Sequence, residues 1–134
     1  MQIEKKIHVS SDLDIVIARM QARNVAKKMG FGTMDQARIS LAASELARAL
    51  CDNADGPKEL IMSDAHQNGF EGLQISCLVN LEHAPTRDKK DWAKEPSTVG
   101  RSLSGACLLV DESFVEGQGG EHIRITLTKW LKKN

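Results

Sequence analysis

The run from Asp14 to Cys51, DIVIARMQARNVAKKMGFGTMDQARISLAASELARALC, decides the fold. In its first half Ile15, Ala18, Ala22, Val25, Ala26 and Met29 recur at steps of three and four, which marks one buried stripe of an amphipathic helix. Ser11 and Asp14 stand at capping-box spacing before it, and Gly30 supplies the left-handed residue that closes a helix. Thr33 and Gln36 repeat the capping spacing, and Ile39, Ala42, Ala43, Leu46 and Leu50 trace a second stripe up to Cys51. Two helices therefore follow one another directly.

Outward from this pair, Ile3 to Val9 reads as an opening strand. The cluster from Asn53 to Pro57 is a turn, and Glu59 to Ser63 and Leu73 to Leu81 read as paired strands around a Gly69 to Gly72 loop. The segment from Glu82 to Gly100 is charged and contains prolines, with Trp92 inside it, and reads as a long lid-like loop. Ser102 to Glu112 is helix-compatible. After the glycine cluster at 117–120, Ile123, Ile125 and Leu127 alternate with Arg124, Thr126 and Thr128 as a strand with one wet face. This order predicts a single domain over residues 1–134, a two-layer α/β sandwich with all helices on one face of a largely antiparallel sheet.

Composition narrows the function classes. Lys plus Arg and Asp plus Glu both number 18, so no net field draws the chain to nucleic acid or an anionic membrane. No apolar run is long enough to span a bilayer, and the first residues lack the apolar core of a signal peptide, which predicts a cytoplasmic protein. Cys51, Cys77 and Cys107 form an odd, scattered set that reads as reduced thiols, and the four histidines show no metal-binding spacing, so no catalytic metal is expected.

The blocks Asp14 to Arg19, Ala26 to Phe31, Asp35 to Ile39, Ser44 to Arg48, Leu103 to Glu112 and Lys129 to Leu131 resemble the anti-sigma-factor serine kinases, and more narrowly the switch kinases of the bacterial stressosome. That family belongs to the superfamily of histidine-kinase catalytic domains, gyrase and MutL. The resemblance implies the Bergerat fold, an α/β sandwich that holds ATP and magnesium between helices under a mobile lid.

It also implies roles for particular residues. Family members carry on the second helix a glutamate that handles the attacking hydroxyl, and four residues later an asparagine that ligates magnesium. Glu45 matches the first, but Ala49 stands where the asparagine should be, with Asn53 one turn further on. Glu82 occupies the place of the adenine-reading acid, without its glycines. The phosphate-binding glycine run corresponds to Thr98 to Gly105, where Gly100 and Gly105 remain and Arg101 could meet a phosphate at the helix start. His122 to Arg124 stands where the family shows Gly-Thr-Thr.

These departures favour a pseudo-kinase that acts by protein binding and needs no cofactor. The alternative is an active serine/threonine kinase using ATP and Mg2+, and a pocket repurposed for another small ligand is a third reading. By resemblance the partner is a STAS-domain anti-anti-sigma protein, a sigma factor or a phosphatase regulatory domain, met through Arg19, Arg23, Arg38 and Arg48.

Overall fold

A computed structural model describes residues 2–52, 56–80, 98–117 and 122–131. Its elements are β1 (Glu4–His8), α1 (Asp12–Met29), α2 (Thr33–Cys51), β2 (Glu59–Gln67), β3 (Phe70–Asn80), α3 (Thr98–Cys107), β4 (Glu112–Gly117) and β5 (His122–Trp130). The strands form one sheet in the order β1-β2-β3-β5-β4, with every neighbouring pair antiparallel. Leu73, Ile75, Cys77 and Val79 of β3 lie opposite Lys129, Leu127, Ile125 and Ile123 of β5. Those eight side chains are all buried, on the face covered by helices. Gln74, Ser76, Thr126 and Arg124 alternate with them on the other face and are half-buried. The fold is the two-layer α/β sandwich of the Bergerat type.

Local chemistry sets both ends of α1. Ser11 is its N-cap, accepting the Asp14 N–H at 3.3 Å, while the Asp14 carboxylate accepts the Ser10 N–H at 3.0 Å. That bond holds the Asp14 carboxyl below its ordinary range. Gly30, at φ 97°, ends the helix in a Schellman arrangement, with its N–H bonded to the Lys27 carbonyl and the Phe31 N–H to the Ala26 carbonyl. The second cap differs from the expected Thr33–Gln36 box. Gly32 is the N-cap and makes no side-chain cap bond, and Gln36 Nε2 instead donates to the Phe31 carbonyl at 2.8 Å. At the far end Lys58 Nζ reaches the Leu50 carbonyl at 2.7 Å, placing a cation on the negative end of α2.

Two other expectations are corrected. The β2–β3 hairpin is longer than the glycines at 69 and 72 implied, because its turn is Asn68-Gly69 with φ of 52° and 82°, the left-handed pair a tight primed turn requires. Gly72 lies within β3. The third helix begins at Thr98, inside the expected loop, and stops at Cys107, because Asp111 is drawn to the sheet: its N–H donates to the Thr128 carbonyl and its Oδ2 accepts the Trp130 N–H at 2.7 Å. The rest of the lid-like stretch, residues 82–97, lies outside the described residues.

α2 is the central helix, packed against α1, α3, β2 and β3. Its small residues Ala42, Ala43, Ala47 and Ala49 are fully buried and let neighbouring backbones approach closely. All three cysteines are free thiols; Cys77 sits in the core, where burial pushes its pKa up to about 12. Among the described residues no helix is long and apolar enough to cross a membrane.

Candidate functional site

Of the residues singled out from sequence, Glu45 lies on α2 and Gly100, Arg101 and Gly105 on α3, two helices that pack against each other, with Ser102, Leu103 and Ala106 of α3 buried. Glu45 is half-buried on the stripe of α2 that carries the exposed residues Met34, Arg38, Leu41 and Arg48, so its carboxylate belongs to the solvent-facing side of the helix. Ala49 is one turn on but about 40° round the helix, and it is fully buried in the hydrophobic core. Its methyl group offers no ligand to any ion.

Gly100 and Gly105 both lie in α3, Gly100 in its first turn. Among the described residues a Cβ built on Gly105 would meet nothing within 4 Å, so packing against them does not require glycine there. Arg101 also lies in α3; its side chain, and the whole of Asn53 and Glu82, fall outside the described residues. The structure therefore brings the helices of Glu45, Gly100 and Gly105 together. His122, at the start of β5, lies opposite Asn80 on β3.

Among the described residues no three of His, Cys, Asp and Glu converge as a metal site. With Ala49 in the core, the described part of α2 does not fit the magnesium ligation that the resemblance implies at that position.

One surface feature was missed from sequence. Leu13, Val16, Ile17 and Met20 are all exposed along the side of α1 opposite its buried stripe, with Leu13 and Met20 67% and 59% exposed. Their own spacing of three and four was the signal: α1 has two apolar faces, and among the described residues the sandwich buries one of them. Arg19 and Arg23 flank the exposed face, and they are exposed themselves, as are Arg38 and Arg48 on α2.

No protein-family model matches this chain. Over 134 residues it is 35% identical to the Serine/threonine-protein kinase RsbT of Bacillus subtilis (strain 168), a match covering 98% of this chain and all of that protein. The chain belongs to the RsbT family of stressosome switch kinases. A chain of the SiaB-SiaC complex from Pseudomonas aeruginosa shares the fold, with a TM-score of 0.53 at 12% identity, covering 96% of this chain and 89% of that one. The likeness to RsbT overturns the expectation of a pseudo-kinase, since a relative matched from end to end is a serine/threonine kinase. The changes at position 49 and in 98–105 sit on a scaffold matched from end to end, and the loss of single contacts does not by itself abolish a site that many contacts build. As a member of the RsbT family the chain serves regulatory signalling.

Proposed function

We propose that this chain is an active ATP-dependent serine/threonine protein kinase that phosphorylates a STAS-domain protein in partner-switching signalling. The observation that carries this reading is the end-to-end likeness to RsbT, joined to the retention of Glu45 on the open side of α2. In the reaction a partner serine or threonine oxygen attacks the γ-phosphorus of ATP. The new O–P bond forms as the bond to the β,γ-bridging oxygen breaks, ADP departs, and the hydroxyl proton passes to the Glu45 carboxylate. Glu45 is the general base and α3, with Gly100 in its first turn, presents backbone N–H groups to the phosphates.

The exposed apolar face of α1 with Arg19 and Arg23 supports capture of a protein. Phosphotransfer from labelled ATP to the STAS-domain proteins of the same organism tests the reading, with the product located by mass spectrometry. Glu45→Gln should lower the rate about 100-fold or more, the usual contribution of a positioned base, while leaving nucleotide affinity unchanged. A chain that labels no STAS-domain protein, or a Glu45→Gln variant as fast as the parent, overturns it. Alanine at Arg19 and Arg23 together should weaken partner capture without changing the melting temperature.

A further inference from the structure

The outer face of the sheet carries a groove of about 360 Å³ that the kinase reading does not use, bounded by Gln67, Phe70, Asp111, Glu112, Trp130 and Leu131. Trp130 forms its floor, lying against Gly72 across the β3–β5 ladder so closely that no side chain could stand there. Phe70, first residue after the hairpin turn, is 49% exposed. Asp111 and Glu112 lead into β4 and supply carboxylates. The Asp111 carboxylate already faces Lys129 Nζ at 3.0 Å and accepts the Trp130 N–H at 2.7 Å, but Lys129 lies on the helix side of the sheet and is shared with Asp35, so the groove's own lining holds two carboxylates and no cation.

The same chemistry continues along β4. Glu112, Phe114 and Glu116 alternate on the outer face, opposite Thr128, Thr126 and Arg124 of β5. Phe114 is 54% exposed. Among the described residues β4 has one strand neighbour, β5, so its other edge is a row of backbone donors and acceptors of the kind that takes up an added strand. An aromatic floor beside a carboxylate suits a guanidinium: the ring face attracts the cation and the carboxylate takes its N–H groups. Strand spacing places every second residue of an added chain over the same face.

We propose that this groove and the adjoining edge of β4 bind an extended basic segment of a protein partner, with one arginine side chain seated between Trp130, Phe70 and Glu112. The occupant is basic because the groove end of the wall holds Asp111 and Glu112 with no cation in its lining, while Arg124 faces Glu116 at the far end, and extended because the acid–aromatic–acid pattern on β4 has the period of a strand. The site is separate from Glu45 and α3, so it stands or falls independently of the kinase reading.

Calorimetry on the full chain tests it, with the blocked pentapeptide Ac-Arg-Val-Arg-Val-Arg-NH2 as probe. Saturable binding is expected, weakened about tenfold or more when citrulline replaces every arginine, since a charge-assisted contact is worth about 1.5–3 kcal/mol. Phe70→Ala and Glu112→Gln should each weaken the peptide about fivefold or more, while phosphotransfer to the STAS-domain protein and the melting temperature stay as in the parent. Equal binding of arginine and citrulline peptides, or of parent and both variants, overturns the assignment. Binding of N-butylguanidine as tight as that of the peptide also overturns it, by making the groove a small-cation site that owes nothing to the strand edge.

Discussion

Gly72 and Trp130 meet across the β3–β5 ladder at a distance that only glycine tolerates: a Cβ on Gly72 would lie 2.6 Å from both the Lys129 carbonyl oxygen and Trp130 Cε3. The indole can swing aside at a cost, but the carbonyl is part of the sheet and cannot. Gly72→Ala should therefore destabilise the protein by about 1–3 kcal/mol, the range for overpacking, read as a lowered urea midpoint with unchanged slope. In a Trp130→Ala background the same substitution should remain unfavourable, because the carbonyl contact persists. A neutral Gly72→Ala would place the two strands further apart than they stand here.

Lys129 is the one charged residue among the buried side chains of β5, 8% exposed, with Nζ 3.0 Å from Asp111 and 3.6 Å from Asp35. It ties the start of α2 to the approach to β4. Lys129→Met keeps the length and removes the charge, leaving two carboxylates without their shared cation. A loss of about 3 kcal/mol is expected, the low end for a broken buried pair because Asp111 is more open to water. Adding Asp111→Asn should recover part of it, a non-additivity that a double-mutant cycle measures directly.

Acid stability should depend on Asp64. Its Oδ1 accepts the Ile3 N–H at 2.7 Å and its Oδ2 lies 2.6 Å from His66 Nε2, and these bonds, the Ile3 one first, hold the carboxyl below its ordinary 3.8. A depressed folded-state pKa contributes stability that is present above the unfolded value and is lost as pH falls through the folded one. Asp64→Asn should flatten the stability profile below about pH 4 and leave its neutral shape intact. An unchanged acid limb in chemical denaturation would refute the assignment.

Cys77 should be inert in the native protein. Burial raises its thiol to about 12 from 9.0, so the nucleophilic thiolate is scarce at any ordinary pH. Iodoacetamide at pH 8 should label Cys77 only on unfolding, at a rate that follows the denaturation curve. The linkage has the opposite sign to that of Asp64. Because the folded state holds this proton more tightly, its contribution is full below pH 9.0 and falls away as the pH rises through the folded value.

The two long helices were legible because their signals are local: the stripe from Ile15 to Met29, the Ser11 cap and the left-handed Gly30 all act within a few residues of one another. What escaped notice depends on distant partners. Gly72 reads as loop in sequence, and its place within β3 is set by Trp130, far along the chain, which lies on it. Leu108 to Val110 continued an apolar pattern that local propensity extends as helix, yet the Asp111 carboxylate binds a backbone N–H 19 residues ahead and turns the chain into β4. At the candidate site, Glu45 and its open face could be read from helical spacing. The burial of Ala49 could not, since it depends on which neighbours α2 packs against. The groove over Trp130 was invisible in sequence because the hairpin tip and the ends of β4 and β5 assemble it together.

The opposite rim of the sheet behaves differently from β4. Along β1 the exposed positions are Glu4, Lys6 and His8, with Lys5 bound at 2.7 Å to Gln21 of α1. A foreign strand laid there would have to desolvate charges of both signs in close succession. Among the described residues lateral growth of the sheet is thus favoured on one flank and discouraged on the other, so a molecule that captures one chain along its acidic flank resists propagating a filament from the opposite one.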